Sequence, residues 1–424
     1  MKCAICLGAA LAFSLLSATS SLGATSPGLY NVRDYGAKGD GKTMDTVALQ
    51  KALDTCAAAG GGVVSLPEGV YLTGSVTVGA NTTLRLEPRA NLMGSPDVED
   101  YPLVRVRWEG EFRQGHRALI SAAGAEKIRL EGPGAIFGPP PAVSRLRDPR
   151  GPLLIELTDC TNAVLEGFST QYQQLWAIHL LFCRNLTASN LILRSLNANG
   201  DGIDVDSCSD VTIEHCDINT GDDAIALKSG RGLAAERLNS PTQNVTIRQC
   251  VLASSNFAAL AMGTELSGGI RDVKIEDCTL SGRQNAIFLK SRDGRGGFIE
   301  NLTGENLVIN KSPTFIGIDL LKKGIQASDP VPGEVEQWTR MSHIRFNHIR
   351  LNDVAEIVAG SNVPAYRPVD GLALADITGT CERGITLANM SDVKLTGIKV
   401  TGFQGPLVTT QNVKGQGLDG PAAR

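Results

Sequence analysis

The sequence predicts an all-β fold, a right-handed parallel β-helix with a capping helix near its N-terminus. Three observations predict it: a short strand pattern that recurs along the chain, no helical stripe between the repeats, and few hairpin turns. Each coil of such a solenoid packs only on its neighbours, so about 400 residues can form one unit. We therefore expect a single domain over residues 25–424.

The first residues have the features of a secretory signal peptide. Lys2 supplies a positive charge, residues 4–16 are apolar, and small residues follow up to Ala24. This run is too short to span a bilayer, and no later stretch reaches the ~20 apolar residues of a spanning helix. We expect a signal over residues 1–24 and a secreted or periplasmic protein.

The two ends of the predicted stack differ. Residues 43–59 form the one good amphipathic helix, followed by three glycines at 60–62 that end it. Its mostly apolar face is expected to contain Val47, Ala48, Lys51, Ala52 and Cys56. We expect this helix to cover the open N-terminal end of the stack. The glycine- and glutamine-rich tail after Gly405 is predicted to be irregular.

The repeat itself is a polar residue followed by alternating apolar and polar residues. Its separations are mostly between about 20 and 35 residues, as in solenoid repeats. Alternation with a period of two indicates strands. Sandwiches and propellers join their strands by hairpins, and Asn-Gly or Asp-Gly turns are scarce between these repeats. The repeats begin at Asn162, Asn185, Asp210, Asn244, Asp272, Asn301, His343 and Asp392.

Six cysteines occupy two equivalent repeat positions. One set precedes repeat strands and the other ends them: Cys160, Cys183 and Cys208, then Cys216, Cys250 and Cys278. Cysteine packs as a small apolar residue, so we expect stacked free thiols rather than disulfides. The formal net charge of −4 gives no reason to expect nucleic acid or an anionic membrane as a partner.

Carboxylates concentrate in two successive coils. If Ile203 and Ile225 align, Asp201 and Asp223 have the same offset before their strands. Equal offsets in a parallel β-helix stack at the ~4.8 Å strand spacing, and Asp222 lies beside them. Like charges this close raise the pKa of at least one carboxyl.

A protonated acid beside ionised carboxylates is what cleavage of a glycosidic bond requires. Turn capping or Ca²⁺ binding would use the same residues. The residues alone leave these readings open. We expect no metal and no cofactor.

The chain also resembles the polygalacturonases and their relatives in glycoside hydrolase family 28, over nearly all of the mature sequence. The resemblance implies inverting hydrolysis of a pectic polysaccharide or oligosaccharide, with Asp222 as general acid. It implies that Asp201 and Asp223 hold and activate the attacking water. The matching segments are residues 30–41, 60–69, 107–110, 199–204, 221–223, 262–269 and 290–297.

Five further residues are candidates for substrate binding: Lys290, Arg295, His179, Trp176 and Trp108. The first two match family positions, and Lys290 corresponds to a lysine that binds a substrate carboxylate. The tryptophans can stack on sugar rings or pack in the core. His179 lies in a segment that the family often places in the cleft, and a structural role fits it equally well.

The sequence departs from the family at two positions. Phe257 stands near the place of the histidine in the family's Gly-His-Gly motif, and Phe288 replaces the arginine of its Arg-Ile-Lys motif. Arginine pairs with a carboxylate through two hydrogen bonds. Its loss predicts a subsite for a neutral or deoxy sugar such as rhamnose, or an exo-acting enzyme.

Two other functions remain open from the sequence. A pectate-lyase-like enzyme would need calcium, and a non-catalytic carbohydrate-binding β-helix would need no acid. The long gaps at residues 223–244 and 301–343 have room for loops that block one end of a cleft. We expect a monomer.

Overall fold

A computed structural model describes Met1 and residues 28–292, 294–321 and 338–419 of the chain. Residues 2–24 of the predicted signal peptide therefore lie outside the described part. Within that part, no helix has both the length and the apolar character needed to cross a membrane.

Nearly all strands pair in parallel with the coil before and the coil after, in three columns that we call the first, second and third sheets. The first sheet contains Gly28–Asn31, Gly62–Leu66, Thr82–Leu86, Arg129–Glu131, Thr161–Glu166, Arg184–Ser189, Ser209–Glu214, Thr242–Arg248 and Ile270–Glu276. The second contains Asp40–Met44, Gly69–Thr73, Ala90–Gly94, Ala135–Phe137, Ser169–Gln171, Ile192–Arg194, Asp217–Thr220, Val251–Ser254, Thr279–Gly282 and Lys399–Thr401.

The third sheet carries the part of each coil that matters for function. It contains Val76–Thr77, Ile120–Ala123, Ile155–Thr158, Ile178–Leu181, Ile203–Asp206, Ile225–Lys228, Ala258–Met262, Asn285–Lys290, Thr314–Asp319 and Val408–Gln416. Three long strands bend from one sheet into the next: Phe298–Asn310, Arg340–Asn362 and Val369–Thr396. The parallel β-helix is confirmed.

Aliphatic side chains stack along the inside of the third sheet. Ile178, Ile203 and Ile225 lie in register on successive coils, and each is fully buried. Burying an isoleucine side chain contributes roughly 1.5–3 kcal/mol. A slip of one residue would turn these side chains outward, so the stack fixes the register of the residues beside it.

The polar residue that begins each repeat has a backbone role. All eight residues named above have φ between 47° and 58°, in the left-handed region. Asn and Asp tolerate this region better than other non-glycine residues. The polar residue that marks each repeat in the sequence is therefore the one that turns the chain, in the left-handed backbone conformation, at the entrance of the first sheet.

The prediction for the cysteines is confirmed. All eight cysteines among the described residues are free and buried. Backbone N–H groups donate to thiols on the next coil, at 3.2 Å from Cys183 to Cys208 and 3.4 Å from Cys250 to Cys278. The thiols thus stack inside the core.

The capping helix spans Thr46–Ala58 and packs on the first coils. Its predicted face is partly wrong: Leu49, Ala52, Leu53 and Cys56 are buried, whereas Val47 is exposed. The prediction of an irregular tail is also wrong. Val408–Gln416 pairs in parallel with the last long strand and forms the final coil.

Insertions between coils stand beside the third sheet. The antiparallel strands Leu103–Trp108 and Glu111–His116 form a hairpin, and two short helices span Pro141–Ser144 and Gly232–Leu238. Short 3-10 helices span Val32–Tyr35 and Val98–Asp100. The tip of the hairpin docks on the segment before the third helix, where the Arg231 N–H donates to the Gly110 carbonyl at 3.2 Å.

Candidate active site

Three aspartates meet where two coils enter the third sheet. Ile203 pairs with Ile225, which stacks Asp201 on Asp223 as predicted, and Asp222 lies alongside. One oxygen of each of these three carboxylates lies within 4.8 Å of the others. All three line an open cavity of about 200 Å³. The predicted cluster is thus present, and its side chains do not enter the aliphatic core.

Asp222 is the aspartate held by backbone donors on both oxygens. Its Oδ2 accepts from the Asn199 N–H at 2.8 Å, and its Oδ1 accepts from the Asp223 N–H at 2.9 Å. Burial and the charge of Asp223 raise the pKa of Asp222 by more than these hydrogen bonds and Lys290 lower it. Asp222 therefore retains its proton to a higher pH than an ordinary aspartate.

Asp201 is buried, with 4% of its surface exposed. Burial, then the charges of Asp204 and Asp222, raise its pKa well above the ordinary value. Lys228 opposes this shift in part, from 3.8 Å. Asp201 is consequently disposed to share a proton with a neighbour or a bound water.

Asp223 has both carboxylate oxygens engaged. The Lys290 Nζ lies 2.9 Å from Oδ2, and the Ala258 N–H donates to Oδ1 at 3.0 Å. Burial would lower the pKa of Lys290, but Asp223 raises it above the usual value. This pair places a fixed positive charge at the wall of the cavity.

Lys228 is a site residue that sequence reasoning missed. Its Nζ lies 2.7 Å from the Asp204 carboxylate and 3.5 Å from that of Glu265, in addition to its contact with Asp201. It also stands 3.6 Å from the centroid of a Trp176 ring. The signal was available: Ile225 and Leu227 point inward, so alternation turns Lys228 outward on the coil of Asp223.

Trp108 and Trp176 are mainly packed side chains. Their rings stack with centroids 4.2 Å apart, and each residue is 3% exposed. Together with Ala118, Leu153 and Leu175 they form a small apolar cluster separate from the main core, which we call the plug. Trp176 precedes Ala177, whose N–H donates to the Asp201 carbonyl, so the plug adjoins the aspartates. Both tryptophans also line the cavity.

The prediction that His179 binds substrate is wrong in this structure. His179 is fully buried, with Nδ1 3.1 Å from Glu156 and Nε2 3.7 Å from Asp206. Burial would lower its pKa, but the nearby carboxylates of Asp206 and Glu156 raise the pKa to about 9. It supports the coils below the cavity as part of a buried charged network, because its strand position faces its neighbours and not solvent.

Arg295 also needs correction. It is 1% exposed, and its Nη1 donates to the Thr264 carbonyl at 3.0 Å, so it braces a loop of the cavity wall from behind. Arg292, three residues earlier, lines the cavity together with Lys290.

The two phenylalanines that replace family residues lie outside the lining of the cavity. Phe288 pairs with Ala261 in the third sheet and is half-buried, and its ring centroid is 5.5 Å from the Lys290 Nζ. Phe257 is half-buried beside Ala258. The aromatic ring at 288 therefore borders the lysine of the site.

The spacing of the three carboxylates could also hold a metal ion. Oxygen ligands of this type suit Ca²⁺. Two ammonium groups, on Lys290 and Lys228, already face Asp223 and Asp201. A metal ion at this position would compete with these ammonium groups for the same carboxylates.

The sequence model of a family described as "Glycosyl hydrolases family 28" matches residues 72–417. A second, described as "Rhamnogalacturonase A/epimerase, pectate lyase-like", matches residues 29–98. A probable polygalacturonase of Vitis vinifera is 29% identical over 63% of this chain and 58% of its own length. An exo-poly-alpha-D-galacturonosidase of Dickeya chrysanthemi is 26% identical over 66% of this chain. This chain spans only 55% of the length of that relative.

Solved structures share the fold. A family 28 exopolygalacturonase of Yersinia enterocolitica superposes with a TM-score of 0.81, at 21% identity, over 94% of this chain and 80% of that one. At this identity the likeness concerns the course of the backbone. It agrees with the three-sheet helix described above.

Proposed function

Because the chain belongs to glycosyl hydrolase family 28, we propose that it hydrolyses a pectic polysaccharide or oligosaccharide with Asp222 as general acid. The observation that carries the proposal is the group of three carboxylates on adjacent coils, at the wall of an open cavity. A partly exposed acid with a raised pKa can protonate the leaving oxygen of a glycosidic bond.

We assign the attacking water to Asp201 and Asp223. A carboxylate that forms a covalent glycosyl ester must be ionised and free to approach the sugar. Asp223 has both oxygens bound by donors, and burial opposes ionisation of Asp201. Both can instead accept hydrogen bonds from a water placed between them, which favours inversion.

The distance between the acids gives the opposite indication. Carboxyl groups of inverting enzymes are usually roughly 6.5–9.5 Å apart, and those of retaining enzymes about 5 Å. The 4.8 Å limit among these oxygens is short for inversion. The anomer formed first, followed by proton NMR, decides between the two mechanisms.

The plug supports exo action. It adjoins Asp201, whose carbonyl accepts from the N–H of the residue after Trp176, and the hairpin that carries Trp108 is fixed at its tip by Arg231. Arg231 also forms an ion pair with Glu111 of the hairpin. A cleft closed at one end accepts the end of a chain and not its interior. The 223–244 gap contributes to this closure, and residues 322–337 of the other gap lie outside the described part.

Phe288 favours a second candidate, an enzyme for rhamnogalacturonan-type chains. An aromatic side chain beside Lys290 offers a surface for the apolar face of a neutral or deoxy sugar. In this candidate the subsite near Phe288 takes rhamnose. The acid and the water-binding pair stay the same.

Product analysis tests the proposal. Purified enzyme is incubated with polygalacturonate, rhamnogalacturonan and their oligosaccharides, and the products are separated by size over time. Exo action gives one short product from the start, whereas a ladder of sizes contradicts it. Faster cleavage of polygalacturonate than of rhamnogalacturonan material contradicts the second candidate.

Two controls separate this function from the other readings. Unsaturated, ultraviolet-absorbing products that disappear with a chelator would indicate a calcium-dependent lyase. Binding of these polymers without any cleavage would indicate a carbohydrate-binding protein. We further propose that the enzyme is exported as a monomer, which the N-terminus and mass of the protein isolated from its source would test.

A further inference from the structure

A second cavity adjoins the catalytic one. It has a volume of about 280 Å³ and shares Asn199 with the cavity that contains the aspartates. We call it the arginine pocket. Its lining residues are Arg145, Arg147, Arg150, Gln174, Leu175, Ala198 and Asn199. The volume is close to the lower limit of roughly 300 Å³ for ligand clefts, which suits one sugar unit.

Arg150 is the central feature of this pocket. Its guanidinium carbon lies 3.5 Å from the centroid of a Trp108 ring, so it covers the outer face of the plug. Its Nε and Nη2 are buried and have no hydrogen-bond partner among the described residues. Buried N–H groups without a hydrogen bond are costly, so these two nitrogens indicate an acceptor supplied from outside the described residues, and the charge of the guanidinium favours an anionic one.

The charges around Arg150 leave it cationic. Burial, together with the nearby Arg113 and Arg147, lowers its pKa to about 10, while Glu109 and Asp201 oppose the shift. Neither carboxylate forms an ion pair with Arg150 within the part of the chain that the structure describes. The described lining of the pocket contains three arginines and no acidic residue. The pocket therefore attracts an anion at neutral pH.

The pocket lies within one sugar unit of the proposed acid. Asn199 lines both cavities, and its backbone N–H donates to Asp222 at 2.8 Å. Leu175 belongs to both the plug and the pocket lining. A sugar in the pocket would thus touch the plug while its neighbour reaches the aspartates.

We propose that the arginine pocket is a subsite that binds the carboxylate of a uronate unit on the plug side of the scissile bond. Arginine suits this task because its planar guanidinium binds a carboxylate through two parallel hydrogen bonds. This inference rests on the proposed function and specifies its substrate: the unit next to the plug is acidic. The charge missing at Phe288 is thereby supplied from the opposite side of the aspartates.

The test is calorimetric titration of the enzyme with D-galacturonate, D-galactose and acetate. The first two differ at C6, and acetate carries a carboxylate without a sugar. Arg150→Gln removes the charge and leaves a shorter, neutral polar side chain. Arg147→Gln removes an exposed charge of the same pocket, and Arg184→Gln is the matched control on an exposed strand of the first sheet.

We expect galacturonate to bind more tightly than galactose or acetate. Arg150→Gln should weaken galacturonate binding by about tenfold to a hundredfold, the effect of losing charge-assisted hydrogen bonds. Galactose binding should not change. Arg147→Gln should weaken galacturonate binding by a few fold, and Arg184→Gln should have no effect.

Three results would overturn the subsite: no binding of galacturonate, equal binding of acetate, or equal losses for galacturonate and galactose. Thermal unfolding of each variant shows whether it folds. If Arg150→Gln does not fold, the galacturonate affinity of Arg147→Gln tests the subsite in its place. Hydrolysis is measured separately on the same preparations. Carboxylate-dependent binding without hydrolysis would refute the proposed function and leave the subsite intact.

Discussion

Two corners of the same coils show what stacking does to different side chains. At the entrance of the first sheet, asparagines and aspartates stack in pairs, with Asn185 donating to Asn162 and Asn244 donating to Asp210 at 3.0 Å. At the entrance of the third sheet, Asp201 stacks on Asp223 with no amide between them.

The comparison shows that the repeat brings side chains of successive coils close together. The type of residue then decides whether this closeness stabilises the fold. An amide next to a carboxylate or another amide donates a hydrogen bond, so the first corner is stabilised by its stacking. Carboxylates next to each other repel, and burial adds to the repulsion at Asp201. The stacked aspartates thus lower the stability of the folded state, a cost that is common where function requires a particular group of residues.

The largest expected effect comes from breaking the aspartate corner at its acid. Asp222→Asn keeps the size of the side chain and an oxygen for one of the two backbone hydrogen bonds, but it cannot deliver a proton, so kcat should fall by about 10²–10⁴-fold. The measurement is the rate of reducing-end release from the best pectic substrate. Asp159→Asn, at an exposed corner, is the control and should retain the full rate. Full activity of Asp222→Asn would rule out this acid.

The pH dependence of activity sharpens the same comparison. The proposed mechanism needs Asp222 protonated, and burial and the charge of Asp223 raise its pKa. Activity should therefore fall as the pH rises through that raised pKa, by about tenfold per unit beyond it. The profile of kcat/KM against pH reports it for the free enzyme. An alkaline limb at the pKa of an ordinary aspartate would contradict the assignment.

Asp201→Asn should stabilise the folded protein at neutral pH. The raised pKa of Asp201 means that its stabilising contribution is complete below the unfolded pKa and is lost as the pH rises through the folded pKa. The amide has no such loss. We expect the free energy of unfolding of the variant to exceed that of the natural chain by about 0.5–2 kcal/mol at pH 7, with little difference below pH 4. Denaturant unfolding at both pH values measures this, and an equal change at both would refute it.

The smallest effect is expected at the corner where the coils enter the first sheet. Asn244 has φ of 54°, where a residue with a Cβ atom costs about 1–2 kcal/mol if it is not Asn or Asp. Asn244→Ala should destabilise by roughly that amount, and Asn244→Gly by less. Activity per folded molecule should stay unchanged in both. Equal losses would show that the hydrogen bond to Asp210, and not the backbone, makes this corner.

The strands and the stacking of residues on successive coils follow the repeat period and could be predicted from the sequence. Alternation gave the strands, and aligning Ile203 with Ile225 gave the stacking of Asp201 and Asp223. The face of the capping helix was less certain because alanines on both sides blur its apolar stripe, so Val47 was misplaced. The tail strand is mostly exposed and has no apolar–polar alternation, so only its pairing with the strand before it reveals it.

Side chains contributed from outside the period escaped prediction. Whether His179 and Arg295 reach the cavity depends on neighbours from other coils, Glu156 and Thr264, that no local pattern reveals. The plug requires Trp108, which an inserted hairpin brings onto Trp176. Lys228 differs from these residues, because the alternation along its own strand predicts that it points outward.

The hairpin of Leu103–Trp108 and Glu111–His116 is attached between two coils and forms no part of the three sheets apart from a single bridge. Its length can therefore change between related chains while the aspartates keep their positions. Under the proposed function, the hairpin would then set the size of the sugar fragment released, independently of the aspartates that cleave the bond, and evolution could alter one without the other.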